Sequence, residues 1–226
     1  MRKNKKKNNR RNPWKIKLWL LVLSHLAGTL NIVSVLAMAP VISSQLNLSG
    51  MEFGFLVTAY YGGQAFWSLP SGILVDKFGI GRTLVISHIV MALAAVFLSI
   101  ATGHISAVWA LFLMGIGYSM TNPASGRAVL IWFSPKQRGT AMGIKQVGVP
   151  LGGIIAAGSG ALVEFFEWNS IMLAAGIFIL LNGFFCTYLI SEDDGEKETR
   201  MPNTKKIRRV IGMRQLHINT ILNAFI

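Results

Sequence analysis

Between Thr83 and Gly126 the chain carries no Asp, Glu, Lys or Arg, and the runs Phe53 to Val75 and Ser43 to Met51 are equally free of charge. A domain folded in water covers itself with charge, and about a quarter of the residues of soluble domains supply it. Here only 14% of the 226 residues are charged, while 52% are hydrophobic. An ordinary soluble domain is thereby excluded. Disorder is excluded too, because it needs low hydrophobicity. So is a disulfide scaffold, since Cys186 is the single cysteine. What remains is a membrane protein.

A helix crossing the hydrocarbon core needs about 20 apolar residues. Six segments meet that need, at 18–45, 51–75, 82–102, 105–133, 139–163 and 169–190. Short stretches with turn chemistry separate them, so neighbouring helices must run antiparallel. The expected fold is an all-α bundle of six transmembrane helices. Ser49, followed three residues later by Glu52, predicts a capping box opening the second helix. The first apolar run, Leu18 to Ala39, exceeds the roughly 7–15 residues of a signal-peptide core. Pro40 follows the A-x-A-like triplet and disfavours cleavage there, so a retained helix is expected.

The formal charge of +13 invites a nucleic-acid reading, but the positions of the charges argue otherwise. Nine of the 22 Lys and Arg fall in residues 1–17 and seven follow Ile190, with no base-reading motif beside either cluster. With the N-terminus in the cytoplasm, 20 of the 22 lie in cytoplasmic segments, two (Arg127 and Lys145) lie inside helices, and the outer connections hold none. That asymmetry obeys the positive-inside rule. The expected location is the plasma membrane, a bacterial inner membrane, with the N-terminus inside. Residues 1–17 form a basic tail, 18–190 the bundle and 191–214 a charged linker, and 215–226 begin a seventh apolar helix. This layout predicts a half-molecule that inserts without transporting. It would need a missing C-terminal half or a homodimeric partner.

The loop after the second helix reads Gly72-Ile73-Leu74-Val75-Asp76-Lys77-Phe78-Gly79-Ile80-Gly81-Arg82. Gly79 and Gly81 are expected to supply unusual backbone angles, and Gly72 a close helix approach. Around it stand Ala39-Pro40, Leu69-Pro70-Ser71-Gly72, Trp132-Phe133-Ser134-Pro135 and Arg138-Gly139-Thr140-Ala141-Met142-Gly143. As a set these resemble the major facilitator superfamily, whose corresponding loop follows G-x-L-x-D-[RK]-x-G-[RK]-[RK]. Gly72, Leu74, Asp76, Lys77, Gly79 and Arg82 match it, while Gly81 replaces a basic residue. The resemblance implies the N-terminal half of that fold, built as a 3+3 inverted repeat. It also implies secondary transport of a small solute by alternating access, with a coupling proton or ion. Gly72, Asp76, Lys77, Gly79, Arg82 and Arg138 would then serve gating. Two features depart from the family. Leu111 stands where many proton-coupled members carry Arg, and Pro150 lies one place late for the antiporter motif G-P-x-x-G-G.

Helix five presents Ala141, Lys145, Gly148, Gly152, Ala156 and Ser159 at helical spacing, a small-residue face that admits a neighbouring backbone. Gly148, Pro150, Gly152 and Gly153 are accordingly expected to pack helices. In transporters of this plan, substrate sits near the midplane on interrupted helices. That places Asn31, Tyr60, Gln64, Asn122, Arg127 and Lys145 as cavity candidates. Arg127 and Lys145 lie roughly 9–10 Å inside their helix ends, with no Asp or Glu expected at matching depth. Either both snorkel to headgroups or pair structurally, or they form a cationic cavity wall. The second reading predicts an organic or inorganic anion as substrate. No phosphate-binding loop of the G-x-x-x-x-G-K-[ST] kind occurs, and the four histidines lie on different segments, so no cofactor, metal or enzymatic role is expected. The competing readings are an efflux antiporter of the same superfamily and a non-transporting scaffold from an interrupted gene.

Overall fold

A computed structural model describes Trp14 and residues 16–190. The basic tail before Trp14, the linker 191–214 and the apolar segment 215–226 lie outside the described residues. Span one comprises Ile16–Ala37 and Ala39–Gln45. It breaks at Met38 because Pro40 offers no N–H and crowds the carbonyl one turn earlier. Asn47, at φ 52°, turns the chain in the left-handed region that asparagine tolerates. Span two, Gly50–Phe78, opens with the expected capping box. Glu52 N donates to Ser49 Oγ at 3.3 Å and Ser49 N donates to Glu52 Oε2 at 2.8 Å.

Gly79, at φ 87°, ends span two and starts span three, Ile80–Ser99. Only glycine adopts that backbone without strain. Gly81 differs from expectation. It is an ordinary helical residue, and its lack of a Cβ lets the backbone of Leu189 and Ile190 approach, with Ile190 N 2.5 Å from where a Cβ would stand. Span four is divided into His104–Ser119 and Thr121–Trp132 ahead of Pro123. Span five is divided into Arg138–Gln146, Gly148–Ala157 and Ser159–Leu162, with breaks before Pro150 and at Gly158. Span six is Trp168–Cys186, prolonged by a short 3-10 turn, Thr187–Leu189.

Five of these six spans are long and apolar enough to cross a membrane by length and composition alone; Gly50–Phe78 is not. Tyr60, Tyr61, Gln64, Ser68 and Pro70 dilute its hydropathy, although its 29 residues are ample to span. The helices nevertheless pair as one bundle: span two with four, span one with five, span three with six, three with four and one with six. Exchanging one with four, two with five and three with six maps this list onto itself. That is the symmetry of two three-helix repeats.

Apolar side chains form two large layers and a smaller cluster of Ala27, Met91, Ala92 and Ile179. One, at the Asn47 end, gathers Met38, Ile42, Leu56, Leu98, Leu111 and Trp168. The other, at the Gly79 end, gathers Leu21, Val75, Ile80, Leu84, Phe133 and Leu189. Polar side chains bridge helices between them. Ser87 Oγ donates to Gly117 O at 2.7 Å and meets Thr121 Oγ1 at 3.0 Å. His88 Nδ1 donates to Leu84 O at 2.6 Å, so Nε2 is bare and accepts from Asn182 Nδ2 at 3.0 Å. These bonds hold spans three, four and six in register without charge.

Candidate functional site

Glycines on two seams bring the site together. A Cβ on Gly115 would strike Tyr60 O, and one on Gly148 would strike Val22 O. At Gly152 it would lie 2.5 Å from Leu26 O. Spans two and four, and spans one and five, therefore touch backbone to backbone. Lys145 occupies the same face of span five as Gly148 and Gly152, one turn away, and that contact delivers it to span one.

Lys145 is 5% exposed. Its Nζ lies 3.1 Å from Ser125 Oγ and 3.2 Å from His25 Nε2, and those two atoms are 2.9 Å apart. An ammonium donates only, so both contacts are donated by Lys145. The single Ser125 hydroxyl proton has two acceptors in reach, the bare Nε2 at 2.9 Å and Asn122 O at 3.1 Å. The Tyr118 ring meets His25 edge-on, with centroids 6.4 Å apart. Lys145 therefore does not snorkel. It is held inside by side chains of spans one and four, and one of its three N–H donors has no partner among these bonds.

Arg127 departs from expectation. It has an acidic partner, since its guanidinium pairs with the Asp76 carboxylate, with side-chain exposures of 31% and 54%. Axial depth along the helices does not reveal this contact. Spans two and four lie side by side, and the long arginine stem covers the difference in height. Arg127 thus belongs with the Gly79-end loop, not with an unpaired cationic wall. Its neighbour Arg138 donates to Leu130 O at 2.7 Å and Phe133 O at 3.3 Å, capping the end of span four. Lys77 is exposed, with its ammonium 5.3 Å from the Phe78 ring centroid, and Arg82 is half-buried.

The remaining candidates scatter. Asn31 is buried, donates to Met91 O at 3.4 Å and leaves Oδ1 without a partner. Tyr60 is buried with an unpartnered hydroxyl, Gln64 is half-buried and Asn122 is exposed. Of the expected packing residues, Gly148 and Gly152 lie against the backbone of span one. Gly153 and Gly72 face open space among the described residues, and Pro150 is exposed, because each is rotated off the seam. His25 is legible in the sequence only as one of several polar residues at depth in the first helix, and Ser125 is not among the expected site residues. The small-residue face shared by Lys145 and Gly148 was the available pointer to span one. Nothing in spacing pointed to Ser125. Leu111, at the family's arginine position, is fully buried in an apolar layer. Among the described residues no group of three His, Cys, Asp or Glu comes together for a metal.

A helical bundle with this repeat symmetry matches the sequence profile described as Major Facilitator Superfamily over residues 20–226. The chain belongs to the major facilitator superfamily. It is a multi-pass membrane protein of a transporter family. The chain is 29% identical over 159 residues to the hexuronate transporter of Bacillus subtilis, covering 69% of this chain and 38% of that one. It is 27% identical over 138 residues to a probable sulfoacetate transporter of Cupriavidus necator, covering 61% and 32%. The chain thus spans well under half the length of these relatives. Among solved structures, an inward-facing, unoccupied bacterial homolog of the human lysosomal transporter Spinster superposes with a TM-score of 0.69 at 18% identity, covering 80% of this chain and 43% of that one. A peptide transporter bound to sulfate gives a TM-score of 0.68 at 18% identity, covering 92% and 45%. Both share the half-fold with this facilitator chain.

Proposed function

We propose that this facilitator chain carries the anion-binding bundle of a secondary transporter for small organic acids. It works by alternating access and catalyses no covalent chemistry. The observation that carries this reading is Lys145, an ammonium buried among spans one, four and five with no carboxylate bonded to it. A buried charge is retained only where a counter-charge meets it. A substrate carboxylate accepting the ammonium's third N–H would supply that charge. Ser125 fixes the ammonium's direction. Tyr60, on span two, offers an unpartnered hydroxyl to a hydroxylated acid. Relatives named for a uronic acid and for a sulfonated acetate, both anions, fit the same chemistry.

Arg127 and Asp76 act apart from substrate. Their ion pair ties spans two and four at the Gly79 end, where breaking and re-forming it accompanies the rocking of one bundle against another. The test is uptake of labelled glucuronate and sulfoacetate into vesicles from cells expressing this chain together with the C-terminal half it is expected to need, with glucose as the neutral control. Lys145→Met should lower anion uptake by roughly 30-fold or more, the cost of removing one member of a buried charge contact. Unchanged uptake by that variant would sink the assignment.

A further inference from the structure

Lys145 Nζ stands 3.2 Å from His25 Nε2. Since the ammonium has only protons to offer, Nε2 must be the bare ring nitrogen, and His25 is the neutral tautomer protonated on Nδ1. A proton on Nε2 would set donor against donor and cation against cation. The pair therefore holds one positive charge and excludes a second. Nδ1 is buried without a partner. Facing His25 are Lys145 of span five and Ser125 and Tyr118 of span four, with Cys186 of span six lying beyond Ser24. His88 of span three turns to Asn182 instead, and no carboxylate of the described residues faces the ring.

We infer that His25 is the proton-coupling residue: an organic anion docking on Lys145 brings one proton with it, and that proton lands on His25 Nε2. This deepens the anion reading and rests on it. When a carboxylate arrives, Nζ turns toward it and releases Nε2. The bare nitrogen then takes up a proton drawn from bulk solution and, as Nε2–H, donates a hydrogen bond to Ser125 Oγ, whose own hydroxyl proton turns from Nε2 to Asn122 O. A counter-charge within about 4–6 Å favours the protonated form of such a base by roughly 10- to 1,000-fold. Charge balances across the cycle. The empty site holds Lys145 as a cation and neutral His25. The loaded site holds two cations and one anion. Both carry a net single positive charge, so loaded and empty bundles meet the same electrostatic barrier as they reorient. When the anion leaves, Lys145 returns to Nε2 and expels the proton on the far side.

The test uses vesicles from cells expressing this chain together with its expected C-terminal half, in weak buffer, with glucuronate as the probe. External alkalinisation is recorded beside labelled uptake. The expected result is about one proton per glucuronate, with uptake accelerated by an inward proton gradient. His25→Gln keeps an amide acceptor within reach of Lys145 but does not titrate. Glucuronate exchange should then fall by less than about tenfold, while alkalinisation and gradient-driven accumulation disappear. A merely structural His25 would lower exchange and accumulation in proportion, and that result overturns the inference. Should the variant fail to insert, nitrogen NMR of histidine-labelled wild-type protein decides. Nε2 of His25 should be protonated with glucuronate and bare without it, and a bare nitrogen in both states overturns the inference. Wild-type uptake without proton movement overturns the coupling and leaves the anion reading standing. No uptake of glucuronate or sulfoacetate overturns both.

Discussion

At the residue scale, the two interior cations have opposite fates. Lys145 lies where a charge is costly and is met by neutral partners, His25 and Ser125. Removing it should therefore not weaken the fold, because a buried charge without an opposite charge contributes little to stability. We predict that Lys145→Met unfolds at the same or a higher temperature than wild type in detergent while losing glucuronate binding, as read by thermal unfolding with and without ligand. Arg127 and Asp76 are a half-exposed pair, and pairs of that kind contribute only about 0–1 kcal/mol. Asp76→Asn should slow turnover severalfold while leaving the apparent affinity within about twofold. Arg127→Gln should match it, and the double variant should be no worse than either single one. A large loss of affinity with normal turnover in uptake kinetics would place the pair at substrate instead.

At the element scale, the glycines sort by seam. Gly115 and Gly148 sit against carbonyls of the facing helix, whereas Gly72 and Gly153 have open space around them. Overpacking a tight contact costs about 1–3 kcal/mol. Replacing an unconstrained helical glycine with alanine gains up to about 1 kcal/mol. Gly115→Ala and Gly148→Ala should therefore lower thermal stability, and Gly148→Ala should also displace Lys145 from His25 and weaken anion binding. Gly72→Ala and Gly153→Ala should be neutral or stabilising in the same melts. Four variants losing stability equally would mean that the seams do not carry the packing. The breaks at Met38, Met120 and Val147 share one cause, a proline two or three residues onward. They fall on spans one, four and five, the three that supply the Lys145 cluster.

At the scale of the whole molecule, the distribution of basic residues predicts that the Gly79 end faces the cytoplasm. Single cysteines at Asn8, Lys136 and Asn203, introduced after Cys186 is replaced, should be shielded from an impermeant thiol reagent in intact cells. One at Asn47 should react. Labelling of Lys136 with protection of Asn47 would invert the topology. In the predicted orientation the Asp76–Arg127 pair lies on the cytoplasmic side.

Membrane class, the six spans, their turns, the capping box and the family were legible in the sequence because each is written in contiguous residues. Charge-free length, Asn and Gly at turns, Pro near breaks, and Ser49 with Glu52 all act within a few positions of themselves. Span two shows how far this reaches: its polar residues leave it less apolar than the other five, yet turn chemistry at both ends marks its limits. The site was not legible in the same way. His25 meets Lys145 across 120 positions, and Asp76 meets Arg127 across 51. Counting residues from a helix end gives depth along the axis but not the direction in which a side chain points. Gly152 and Gly153 illustrate this: they are adjacent in sequence, yet one packs on Leu26 and the other faces open space. Only the rotation of each helix against its neighbours, fixed by backbone contact at the glycine seams, decided that Arg127 found a carboxylate and Lys145 did not.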